Sequence, residues 1–103
     1  MSRRVAVTGL GMVTPLGHTV EETWRAILNG QCGIGPITRY DASRYHVRIA
    51  AEVKNWDPTQ VVTSRELRRH DRYQIFCYAA AKEAIASAGL EIRDGQHART
   101  SVV

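Results

Sequence analysis

Val5-Ala6-Val7-Thr8-Gly9-Leu10-Gly11-Met12-Val13-Thr14-Pro15-Leu16-Gly17 decides how the rest of the chain is read. Three apolar residues run into a stretch punctuated by Gly9, Gly11, Pro15 and Gly17. Glycine supplies backbone angles that other residues resist, and proline cannot continue a ladder. A short buried strand over 5–7 is therefore expected to give way to a loop. Gly-x-Gly after a strand invites comparison with the dinucleotide-binding G-x-G-x-x-G. Here Thr14 replaces the third glycine, and Pro15 with Gly17 keeps the chain in loop where that motif is already helix. The next carboxylates, Glu21 and Glu22, fall in a helical pattern instead of closing a second strand. A tight turn into an α/β layer is the better reading.

Outward from this stretch, Thr19-Val20-Glu21-Glu22 matches a capping box, in which the hydroxyl accepts from a free amide and the glutamate reaches back. Val20, Trp24, Ile27 and Leu28 share one face of the helix so begun, and Gly30 ends it. Residues 30–46, rich in glycine and containing Asp41-Ala42-Ser43, read as loop. Val47, Ile49, Ala51 and Val53 alternate with Arg48, Ala50, Glu52 and Lys54, as in a strand with one buried face, and Asp57-Pro58 ends it. A long helix is expected from a cap at Thr63 or Ser64, with Glu66 in its first turn, to Gly89. Its apolar stripe, Tyr73, Phe76, Cys77, Ala80, Ala81, Ala84, Ile85 and Ala88, is rich in alanine and allows close approach of a neighbour, though none is evident within the chain. Thr100–Val103 reads as the start of another strand. The order strand, helix, strand, helix, strand points to an α/β architecture, and the C-terminus reads as a cut.

The composition is that of a soluble globular protein, 44% hydrophobic and 23% charged, and 103 residues allow one domain at most. No apolar run approaches the ~20 residues of a membrane span, and no secretory signal is present, which favours a cytoplasmic bacterial protein. Cys32 and Cys77 lie far apart without metal-ligand spacing, arguing against a disulfide framework or zinc and for a reducing compartment. The net charge of +4 is carried by arginine, since Lys54 and Lys82 are the only lysines, and suggests an acidic partner. Aromatic residues are not interleaved with the basic ones, so a nucleic-acid surface is not indicated.

Several segments in order resemble the β-ketoacyl-acyl-carrier-protein synthases, and their type II members most: VAVTGLGMVTPLG, EETWRAILNG, GQCGIGPI, YDASRY with RIAAEVK, SRELRRHDRY, and SAGL. The resemblance covers nearly the whole chain and implies the N-terminal part of a thiolase-like layered α/β fold, truncated, from a homodimeric enzyme without metal or nicotinamide cofactor. It implies decarboxylative condensation of malonyl- with acyl-carrier protein through a cysteine thiolate, assisted by two histidines. Those motifs belong to later segments of the family. Cys32 stands where relatives carry serine, Cys77 is expected to pack on the apolar stripe, and His18, His46, His70 and His97 each stand alone as solvated residues. No catalytic residue is assigned.

Arg65, Arg68, Arg69 and Arg72 recur at i, i+3, i+4 and i+7, so on a continuous helix they form one solvent-facing ridge, about 120° from the apolar stripe. Paired with Glu66 and Asp71 they are merely a charged surface. The resemblance implies instead that Arg65, Arg68 and Arg69 dock acyl-carrier protein, whose acidic helix suits the planar guanidinium fork. A non-catalytic carrier-binding remnant, or an inactive partial gene product, is the alternative to a piece of the active enzyme.

Overall fold

The structure, a computed structural model, describes residues 2–103. Its elements are helix α1 (Val20–Leu28), strands β1 (Ile34–Pro36) and β2 (Ile49–Ala51), a short helix α2 (Ser64–Leu67) and a long helix α3 (Arg72–Ala88), with single 3-10 turns at Pro58–Gln60 and His97–Arg99.

Helix α1 starts where its cap dictates. Thr19 is extended and its hydroxyl accepts from the Glu22 N–H at 3.2 Å, while the Glu22 carboxylate reaches one residue further back than expected, to the His18 N–H at 2.7 Å. It stops at Gly30, whose φ of 64° lets Gly30 and Gln31 donate to the carbonyls of Ile27 and Ala26, both at 3.0 Å. Thr23 and Ala26 are the buried residues. The expected apolar face is turned outward instead, with Trp24, Ile27 and Leu28 half exposed or more. Small residues win the inner face because Gly17 and Thr14 press against it. A Cβ on Gly17 would stand 2.6 Å from that of Glu22, and the Thr14 and Thr23 hydroxyls are 2.9 Å apart.

Residues 5–7 do not form the expected strand: Val5 is 92% exposed, and no backbone among the described residues pairs with theirs. A strand exists only with a partner. The chain just beyond lies flat on α3. A Cβ on Gly11 would overlap the Ala80 carbonyl and sit 2.8 Å from the Ala84 nitrogen, and one on Gly9 would overlap the Ala84 carbonyl. Here the glycines serve close packing against the alanine stripe, which thus has its partner within the chain. Glu83 fastens the contact. Its two carboxylate oxygens accept from Met12 N–H and Val20 N–H, each at 2.9 Å, joining the N-terminal segment, the first turn of α1 and α3.

The loop expected over 30–46 contains β1, which pairs antiparallel with β2 through Ile34–Ala51, Gly35–Ala50 and Pro36–Ile49. β2 is shorter than the alternating run of 47–53. Its apolar face points to solvent, Val47 and Ile49 being largely exposed, whereas Gly35 and Ala50 take the inner side. Thr100–Val103 forms no strand, and Val102 and Val103 are fully exposed. The interior is small: Ala26, Ala42 and Ile75, with Thr23. Trp56 adds an edge-on contact with Phe76 at 4.9 Å.

Candidate functional site

The helix expected from 63 to 88 is two helices. Thr63 caps α2 in a complete box, its N–H and hydroxyl both donating to Glu66 at 2.8 Å and its oxygen accepting from the Glu66 N–H. α2 ends after one turn because Asp71 is extended (φ −70°, ψ 156°) and restarts the chain as the cap of α3, with the Gln74 side chain accepting from the Asp71 N–H at 2.9 Å. Residues 68–71 are the turn between.

This break dismantles the four-membered ridge. Arg65, on α2, with Arg68 and Arg69 in the turn, is exposed. Arg72 is turned inward: its guanidinium donates to the Val53 carbonyl at 2.7 Å and lies 5.0 Å from the centre of the Phe76 ring. Burial, and secondarily the positive charge of Arg39, hold Arg72 below the ordinary arginine pKa, with Glu52 opposing. Nor do the expected local ion pairs form. Glu66 is engaged by Thr63, whose backbone N–H first and hydroxyl second keep its carboxyl below the usual range. Among the described residues Arg65, Arg68 and Arg69 have no carboxylate partner. Three guanidinium groups without a carboxylate partner among the described residues thus lie on α2 and the turn that follows it. Beside them a cleft of about 310 Å³ is lined by Val62, Glu66, His70, Gln74, Ile75 and Tyr78.

The cysteines do not converge on this surface. Cys32 is exposed in its loop, and Cys77 is exposed on α3 rather than packed on a covered stripe, because the N-terminal segment covers only the Ala80–Ala84–Ala88 edge. His18 is half-buried, and its Nε2 lies 2.8 Å from the Lys54 carbonyl. His46 and His70 are exposed; the His97 side chain lies outside the described ones. Among the described residues no three His, Cys, Asp or Glu side chains cluster to hold a metal ion, and no helix is long and apolar enough to cross a membrane. Two residues carry roles that the sequence reading missed, Glu83 as a clasp and Arg72 as an inward strut. The signal for Glu83 was a lone carboxylate between Ala80 and Ala84.

A glycine-bearing segment laid on an alanine-rich helix, a short capped helix before it and an arginine turn between are part of a thiolase-like α/β fold of condensing enzymes, and the chain belongs to the β-ketoacyl synthase family. The family's N-terminal domain matches residues 2–103. Among curated relatives, the 3-oxoacyl-[acyl-carrier-protein] synthase 2 of Coxiella burnetii is 43% identical over 100 residues, covering 97% of this chain and 24% of the relative. That of Synechocystis is 45% identical over 92 residues, covering 89% of this chain and 22% of the relative. Among solved structures, the ishigamide ketosynthase/chain length factor superposes with a TM-score of 0.76 at 34% identity, over 86% of this chain and 22% of that one. The chain thus spans about a quarter of the length of the curated relatives it matches.

Proposed function

We propose that these residues are the N-terminal part of a 3-oxoacyl-acyl-carrier-protein synthase, and that Arg65, Arg68 and Arg69 dock its acidic carrier protein. The carrying observation is the identity of about 40% to synthases of that name along nearly the whole chain. In the reaction so assigned, an acyl group moves from the carrier protein's thioester to a cysteine thiolate, and the carrier's thiol leaves. Malonyl-carrier protein loses carbon dioxide, its carbanion attacks the acyl-enzyme thioester, and the thiolate leaves as the 3-oxoacyl product forms. Neither Cys32 nor Cys77 has the setting of such a nucleophile, so the contribution of this segment is framework and docking. Three guanidinium groups without a carboxylate partner among the described residues leave their bidentate capacity for carboxylates or phosphate of a partner.

The test is a chimera in which residues 2–103 replace the matching segment of the Coxiella burnetii synthase. It should release carbon dioxide from malonyl-carrier protein and form 3-oxoacyl product, while the 103-residue chain by itself releases none. In the chimera, Arg65→Ala, Arg68→Ala and Arg69→Ala together should raise KM for carrier-linked substrate relative to KM for a small acyl thioester. That difference should shrink as salt rises, because exposed charges act through encounter and are screened. A folded chimera that binds carrier protein yet condenses nothing would favour the non-catalytic remnant. Equal losses on both substrates would assign the arginines to the fold.

A further inference from the structure

Arg39 lies 26 residues before Arg65 in sequence, yet hydrogen bonds tie its backbone to the stretch of chain that receives Arg72. The linkage runs through β2. Glu52 follows β2 directly and accepts from the Thr38 N–H at 3.2 Å, the Thr38 hydroxyl at 2.7 Å and the Arg39 N–H at 3.3 Å. The next residue, Val53, receives the Arg72 guanidinium at 2.7 Å, and Arg72 directly follows the turn that bears Arg68 and Arg69. The backbone at Arg39 is therefore pinned to the same short stretch of chain as the start of α3. The side chain is not used in this: Arg39 is exposed, and among the described residues only its N–H is seen to hydrogen-bond. Its charge is felt by Arg72, which it pushes toward deprotonation.

One local carboxylate offsets part of this charge, since Glu52 opposes Arg39 at Arg72. Glu52 is occupied by Thr38, whose hydroxyl is the main cause of its lowered pKa. The five guanidinium groups of Arg39, Arg65, Arg68, Arg69 and Arg72 still outnumber the three carboxylates of Glu52, Glu66 and Asp71, and such a surplus of like charge is relieved by an anionic partner lying across it.

Resting on the docking role of Arg65, Arg68 and Arg69, we infer that the carrier-protein surface continues across the β1–β2 hairpin, and that Arg39 meets the same acidic partner. Arg72 belongs to this surface as a strut that joins its two halves rather than as a contact.

The test uses the chimeric synthase with Arg39→Gln and Arg39→Glu, neither of which alters the backbone N–H that Glu52 holds. The expected result is a rise in the ratio of KM for carrier-linked substrate to KM for a small acyl thioester. We expect about two- to threefold for Gln and about fivefold or more for Glu, both shrinking as salt is raised. If the ratio is unmoved by Arg39→Glu but raised by the triple alanine variant, the surface stops at the α2–α3 turn and the inference is overturned. Should the triple variant leave the ratio unmoved as well, the docking reading itself fails, and this extension with it. Parallel losses on both substrates would make Arg39 a residue of the fold, again overturning it.

Discussion

At Gly11, a hydrogen in place of a methyl group decides whether the N-terminal segment can lie on α3. Any Cβ there overlaps the Ala80 carbonyl, which belongs to helix backbone and cannot swing aside. Gly11→Ala should cost at least ~2 kcal/mol as an overpacking change. It is read as a lower denaturation midpoint in the chimera and faster amide exchange at Met12. Glu83→Ala should act on the same contact by a different route. It strands the exposed Met12 amide and the half-buried Val20 amide, so water replaces part of the loss at Met12 and about 1–2 kcal/mol is expected. Glu83→Gln, which keeps one acceptor oxygen, should fall between. If the alanine variants at 11 and 83 left amide exchange at Met12 unaltered, the segment would not be held as described.

Among the elements, α2 is the most dependent on its cap, since a helix of one turn has little propagation to offset nucleation. The folded pKa of Glu66 is lowered, so its contribution is fully present above the ordinary value of 4.5 and is lost as pH falls through the lower folded value. Amides of residues 63–67 should therefore exchange faster below about pH 4.5 than intrinsic rates predict. Thr63→Ala should raise exchange at neutral pH and flatten this acid dependence, because the bond that depresses the Glu66 pKa is removed. Glu52 shifts in the same direction through Thr38, so the turn that holds Arg39 should loosen over the same acid range. An unchanged profile in Thr63→Ala would mean that the capping box does not hold α2 together.

Across the whole molecule, little is enclosed. The radius of gyration is 17.3 Å, against about 13 Å for a compact domain of ~100 residues. The accessible surface is 9001 Å², against about 5,800 Å² expected for a folded monomer of this mass. Exposed apolar side chains contribute to the surplus: Trp24 and Leu28 on α1, Ile34, Pro36, Ile49 and Ala51 on one face of the ladder, and the valines at 5 and 7. Taken alone, the chain should self-associate or populate partly unfolded states. Sedimentation should report species larger than 11.5 kDa, and amide resonances should be poorly dispersed. A sharp melt from a monomer with dispersed signals would contradict this.

Local chemistry made α1, its cap at Thr19, its stop at Gly30, a cap at Thr63 or Ser64 (the structure uses Thr63) and the end of α3 at Gly89 readable from residues alone, because each depends on hydrogen bonds within a few positions. The resemblance that named the family was readable for a related reason: it lies in ordered short segments, each legible where it stands. What the tertiary structure decided is partnership. It left Val5–Val7 without a neighbouring strand, paired Ile34–Pro36 inside an apparent loop and turned the apolar faces of α1 and β2 outward. The same structure broke the long helix at Asp71, drew Arg72 in to Val53 and tied the Arg39 backbone to Glu52. Periodicity records which residues share a face, but not which face finds a partner. That is settled by distant backbone coming close enough to exclude water, as Gly9 and Gly11 do on the alanines of α3.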